Sequence, residues 1–139
     1  MDFDGVMNTL DWCEGKGRRT APWEPVTEFM PAAVRELNRI LVACDLGIVV
    51  SSSWRVDEQL DMVTVLEDNG VHEARRRFLG QTPDLSQQEG LLWVGATRGQ
   101  EIGAWLKDQD YRGRYAILDD DASAGDNGGQ HFQTELEEG

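Results

Sequence analysis

Apolar residues along this chain fall into short clusters whose spacing alternates between a helical and an extended period. Pro31 opens a segment in which Val34, Leu37, Ile40, Leu41 and Cys44 recur three, four and seven apart, which predicts a helix with one buried face. The burial habit of free cysteine places Cys44 in that core. Residues 46–50 contain the consecutive Ile48, Val49 and Val50 and stop at Ser51-Ser52-Ser53-Trp54-Arg55, the pattern of a buried strand ending in a polar loop. Leu60, Val63 and Leu66 return to helical spacing until Asn69-Gly70. Residues 78–80 read as a short strand ahead of a turn-rich stretch over 81–90. Thr97 and Gln100 form a capping box at the start of a helix whose buried stripe is Ile102, Trp105 and Leu106. Residues 115–118 are a second buried strand that runs directly into Asp119-Asp120-Asp121, and residues 131–134 are the last strand.

Strands alternating with helices predict an α/β fold: a three-layer parallel sheet with helices on both faces, formed by residues 1–139 as a single domain. A chain of 139 residues buries about two-thirds of its unfolded surface around one core. Residues 5–30 are rich in Gly, Pro and charge and read as a loop, with a short flap around 8–30 too small to be a separate domain. In such sheets ligands gather at the carboxyl ends of the strands, where Asp2 and Asp4, the serine run and the Asp119 run all emerge.

Charge narrows the partners. Thirteen Lys and Arg stand against 26 Asp and Glu, a formal net charge of -13, so extended duplex nucleic acid meets repulsion over most of the surface. Carboxylates gathered in one site also repel each other until a cation neutralises them, so an acidic chain is compatible with a metal site. The basic clusters Lys16/Arg18/Arg19 and Arg75/Arg76/Arg77 are either a local phosphate track or solvated positions. Cys13 and Cys44 show no paired spacing, which fits a reduced, cytoplasmic setting, and no apolar run suits a bilayer or a signal peptide.

Asp2 and Asp4, two residues apart and followed by Gly5, can divide the work of nucleophile and general acid/base, although calcium loops and ordinary turns use the same letters. Adjacent carboxylates at the end of an apolar strand, Asp119 and Asp120, gain little unless a cation sits between them; with Asp2 they offer the hard oxygen ligands that magnesium prefers. Ser52 lies where a strand ends, placed to hold phosphoryl oxygens. Arg98 at a helix start adds a fixed positive charge to the helix dipole.

In order and spacing these elements resemble the four motifs of the haloacid dehalogenase (HAD) superfamily. Asp2-Phe3-Asp4-Gly5-Val6 matches the first, Ile48-Val49-Val50-Ser51-Ser52 the second, Arg98 the third and Ile117-Leu118-Asp119-Asp120 the fourth. The likeness is closer to the small HAD domains grouped with RNA-repair proteins and common in phages. These carry patterns similar to Ser52-Ser53-Trp54-Arg55, Gln81-Thr82-Pro83, Arg98-Gly99-Gln100-Glu101-Ile102 with Trp105-Leu106, and His131-Phe132-Gln133-Thr134. It spans nearly the whole chain.

The resemblance implies a magnesium-dependent phosphomonoesterase with a minimal cap or none. Asp2 would form an aspartyl-phosphate, Asp4 would protonate the leaving oxygen and then activate water, Ser52 (or Ser51, one residue earlier) would hydrogen-bond the transferring group, and Arg98 would balance its charge. Asp2, the Asp4 backbone carbonyl, Asp119 and Asp120 would hold Mg2+, with Ser51, Ser53 and Arg55 on the substrate. The serine-to-arginine neighbourhood is similar to that of polynucleotide 3'-phosphatases, and Trp12, Trp23 or Trp54 would stack on a base. A nucleotide or nucleic-acid terminal phosphate is therefore the expected substrate; a small-metabolite phosphatase and a degenerate, non-hydrolysing HAD-fold binding protein are the alternatives. His72 and His131 are expected to be structural.

Overall fold

The computed structural model describes residues 1–9, 27–85 and 96–134. Most of the flap, with Trp12, Cys13, Trp23 and the cluster Lys16/Arg18/Arg19, and half of the turn-rich stretch lie outside the described residues.

The elements run α1 (Pro31–Cys44), β1 (Ile48–Val50), α2 (Met62–Asp68), α3 (Ala74–Arg77), β2 (Phe78–Gln81), α4 (Arg98–Asp108), β3 (Ala116–Asp119) and β4 (Gln130–Gln133), with 3-10 turns over Ser53–Val56 and Ala122–Asn127. β1 pairs in parallel with β2, and β3 in parallel with β4 with Ala116 opposite Gln130 and Asp119 opposite Gln133. Parallel pairing requires a crossover connection; two α-helices supply it between β1 and β2, whereas residues 120–129 between β3 and β4 hold only the 3-10 turn. The first two residues join the pairs. The Met1 nitrogen donates to the Val49 carbonyl at 2.6 Å and its carbonyl accepts from Ser51 N at 2.9 Å, while Asp2 N donates to the Leu118 carbonyl at 2.9 Å. The hydrogen-bonded row is thus β2, β1, residues 1–2, β3, β4, an α/β fold with parallel strands as expected.

Two apolar clusters support the row. The larger joins Phe3, Phe29, Leu37 and Leu41 to Ile48 and Val50 of β1 and to Met62 and Leu66 of α2; the smaller joins Ile102 of α4 to Ile117 of β3 and Ala124. α1 begins at Pro31, a residue suited to a first helical position because its missing N–H needs no partner there. It ends at Asp45, which takes a left-handed conformation with φ 49°. Val34, Leu37 and Leu41 are its buried residues. Cys44 is exposed, contrary to expectation: it lies in the terminal turn, beyond the last position that the core covers. Ile40 is also 41% exposed and lines an apolar cleft of about 520 Å³ together with Leu37, Ile48, Ile102 and Leu106.

The capping box at α4 forms as expected, with Thr97 Oγ1 accepting from Gln100 N and the Gln100 side chain accepting from Thr97 N. β3 and β4 each start and end one residue from the expected spans. The three consecutive arginines are not a free phosphate track. Arg75 pairs with Glu67 at 2.8 Å, Arg76 with Asp45 and Glu73, and Arg77 with Asp45 at 3.1 Å and the Leu46 carbonyl at 2.9 Å, because α3 is only one turn long and its basic residues reach the acidic ends of α1 and α2. Among the described residues no helix is long and apolar enough to cross a membrane.

Candidate active site

The carboxyl ends of residues 1–2 and of β3 place Asp2, Asp119 and Asp120 together, with one carboxylate oxygen of each lying within 4.8 Å of the others. Asp2 and Asp119 are buried and Asp120 is partly buried. Their backbone is held from several sides. Asp121 N donates to Asp119 Oδ1 at 2.9 Å, Thr134 N donates to the Asp119 carbonyl at 3.3 Å, and the Thr134 hydroxyl donates to the Gly5 carbonyl at 2.8 Å. Gly5 has φ +76°, and a Cβ there would lie 2.5 Å from Asp120 Oδ2; the glycine therefore permits both the turn and the approach of the acidic loop.

Arg98, the first residue of α4, reaches this cluster: its Nη2 is 3.7 Å from Asp2 Oδ2 and its Nε 3.4 Å from Asp119 Oδ2. Neither contact is a well-formed hydrogen bond. Asp119 Oδ2 and Arg98 Nη1 are both buried without a hydrogen-bond partner. Burial pushes the Asp2 carboxyl up to about 7, with Asp119 adding to the rise and Arg98 opposing it. Asp119 is also raised, again chiefly by burial, while the Asp121 amide and Arg98 oppose the shift. Burial that disfavours two carboxylates, with one Asp119 oxygen meeting only the 3.4 Å contact to Arg98 Nε and Arg98 Nη1 lacking any hydrogen-bond partner, is compatible with a cation and an anion binding together here. The all-oxygen donor set fits a hard divalent ion such as Mg2+.

The serine loop forms the adjoining wall. Ser51 and Ser52 are buried. Ser52 Oγ accepts from Trp54 N at 3.3 Å as the cap of the 3-10 turn, whereas Ser51 Oγ has no hydrogen-bond partner. Ser53 is exposed. Trp54 packs edge-on to Phe3 at 5.3 Å between ring centroids and donates its indole N–H to Asp4 Oδ2 at 3.1 Å. Asp4 is otherwise exposed. The Arg55 side chain is 3% exposed and faces protein acceptors, chief among them Glu101 at 2.7 Å.

Thus Asp2, Asp119, Asp120 and Arg98 come together as the motif spacing suggested, with Ser51 and Ser52 lying where residues 1–2 meet β1. Three contributors escaped sequence reasoning. Glu101 is a buried carboxylate in the first turn of α4; Trp54 orients Asp4 rather than standing free; and His131 places its Nε2 3.0 Å from the Asp119 carbonyl. All three stand in patterns quoted from the sequence, around Ser52, Arg98 and His131, but nothing in those patterns gave the contacts they make. No curated protein and no solved structure gives a significant match to the chain. A family model described as the HAD domain in Swiss Army Knife RNA repair proteins matches residues 1–139, over all of the site just described. The chain belongs to that family of HAD domains.

Proposed function

We propose that this HAD domain is a magnesium-dependent phosphomonoesterase acting through an aspartyl-phosphate on Asp2, with the terminal phosphate of a nucleotide or nucleic acid as substrate. Family membership supports a HAD-type hydrolase of metal-dependent kind, and the acidic cluster is the matching structural feature. The observation that carries the finer reading is that a buried Asp119 oxygen and the buried Arg98 Nη1 lack hydrogen bonds beside Asp2, the oxygen having only the 3.4 Å contact to Arg98 Nε. A bound Mg2+ would hold Asp2 ionised and neutralise charge on the phosphoryl group. Asp2, Asp119, Asp120 and the Asp4 carbonyl are its proposed holders.

Asp2 attacks phosphorus, forming a bond from its carboxylate oxygen as the bond to the leaving oxygen breaks. Asp4 gives that oxygen its proton. Asp4 then takes a proton from water, which attacks the aspartyl-phosphate, releases inorganic phosphate and restores Asp2. Arg98 Nη1 supplies a charge-assisted hydrogen bond to a phosphoryl oxygen. Ser52, whose Oγ accepts from Trp54 N and so keeps its O–H free, donates to the same group, or Ser51, whose hydroxyl has no partner, does so in its place. A three-layer sheet open to bulky substrates is the architecture that this reading carries.

Phosphate release from an aryl phosphate, with and without Mg2+, tests it against Asp2→Asn. Magnesium-dependent release that the substitution lowers by at least 10³-fold, roughly 4 kcal/mol of transition-state stabilisation, is the expected outcome. Substrate binding with no release by the intact chain would sink the hydrolase reading and favour a binding protein. Equal rates on 3'-phosphorylated oligonucleotides, 5'-nucleotides and sugar phosphates would sink the nucleic-acid preference.

A further inference from the structure

Arg55 is saturated. A guanidinium carries five N–H groups, and each has a protein acceptor: Nε donates to the Thr82 carbonyl at 2.8 Å, Nη1 to the Ser51 and Ser52 carbonyls at 3.3 and 2.9 Å, and Nη2 to the Pro83 carbonyl at 3.0 Å and to Glu101 Oε2 at 2.7 Å. The two side chains are 3% and 10% exposed. Glu101 Oε2 also accepts from Leu85 N at 3.0 Å. One ion pair therefore fastens three segments: the serine loop, residues 82–85 and the first turn of α4. Glu101 lies one helical turn after Arg98, whose own charge is aimed at Asp2 and Asp119.

We propose that Arg55 and Glu101 are positioning residues that set the separation between the two anion-holding groups, the Ser51–Ser52 loop and Arg98; Arg55 does not itself touch substrate. The inference rests on the phosphoryl-binding part of the function proposed above and not on turnover. No donor is left on Arg55 for a phosphate oxygen. Its planar fork fixes the Ser51 and Ser52 carbonyls, and with them the peptide planes that carry the serine side chains. Lysine cannot reproduce this, because an ammonium has three donors and no plane. Glu101 transmits the same constraint to the helix that carries Arg98. The pair is buried, so solvent does not soften it.

The test is the affinity of the folded protein for inorganic phosphate in saturating Mg2+, measured by calorimetry well below the melting temperature, alongside aryl phosphate hydrolysis. R55K and E101A are expected to weaken phosphate binding at least tenfold and to raise KM in step, while E101Q, which keeps an acceptor for Arg55, stays within about threefold of wild type. A purely structural pair would lower the melting temperature and leave the affinity of the folded fraction unchanged, and that result in R55K overturns the proposal. Should E101A fail to fold, the comparison of R55K with E101Q decides. Wild type that binds phosphate but hydrolyses nothing removes the hydrolase reading and leaves the affinity test intact. Wild type that binds no phosphate overturns both.

Discussion

At the scale of single residues, the site is defined by carboxylates in the wrong medium. Asp2 is 3% exposed and its carboxyl is raised from 3.8 to about 7, so without metal the folded protein retains a proton there that the unfolded chain has lost. Stability from this group is therefore fully present below about pH 4 and is lost as pH rises through about 7, and the raised Asp119 carboxyl acts in the same direction. The Met1 amino group, lowered by burial from 8.0 to about 6, works in the opposite sense: its contribution is present above about pH 8 and is lost as pH falls through about 6. The fall should thus be clearest between pH 4 and 6. Melting temperatures recorded in EDTA across that range should decline, and Asp2→Asn should flatten the decline; an equally steep slope in the variant would assign it elsewhere. The sequence showed which carboxylates gather. It did not show that Asp2 and Asp119 are buried while Asp4 stays exposed, because that depends on Met1–Asp2 lying between β1 and β3.

Among the elements, periodicity was a good guide where the buried face is set by one neighbour. α1, α2 and α4 lie where apolar spacing put them, although α2 buries Met62, Val65 and Leu66 rather than Leu60 and Val63, and Trp105 and Leu106 of α4 are only partly buried; the Thr97–Gln100 capping box is a local device that needs no tertiary context. It failed at element ends. Cys44 continues the stripe of Leu37 and Leu41 on paper, but the helix projects past its core. Leu41→Ala should accordingly cost about 2–5 kcal/mol, and Cys44→Ser should stay within about 0.5 kcal/mol; urea denaturation of the two variants measures both, and a costly Cys44→Ser would mean that the residue is covered. Short elements were illegible for a different reason. The single turn α3 starts after Glu73, a non-glycine residue at φ 51°, and enters the apolar core only through Ala74, its three arginines being held by ion pairs to Asp45, Glu67 and Glu73. Arg55 was equally opaque, since the Thr82 and Pro83 carbonyls that occupy it lie 27 and 28 residues away along the chain.

For the molecule as a whole, the formal charge of -13 and the acidic cluster point the same way. Repulsion among Asp2, Asp119 and Asp120 exists only when folding assembles them, so a divalent ion held by them would bind the folded state preferentially. Mg2+ at a hundred times its dissociation constant should stabilise the fold by about 2.7 kcal/mol, read as a rise in melting temperature. An unchanged melting temperature at saturating Mg2+ would count against a metal at this site. The order of motifs along the chain made this centre legible in the sequence, because three of the four motifs stand where an extended segment ends and the third, Arg98, opens a helix. What joins the motifs, chiefly Glu101, His131 of β4 and Thr134 just after it, depends on contacts between segments distant in the chain.

One contact at α4 reaches further. Gly99 sits so close to the 3-10 turn after Asp121 that a Cβ would lie 2.2 Å from the Ser123 carbonyl, and Asn127 Nδ2 closes the same joint by donating to the Gly99 carbonyl at 2.7 Å. The helix bearing Arg98 and the loop bearing Asp119 and Asp120 thereby form a single mechanical unit, whose amides should open to solvent together. Magnesium should then slow deuterium uptake in the first turn of α4, a segment with no proposed ligand, as much as in residues 119–127; protection confined to the acidic loop would show that the joint slips.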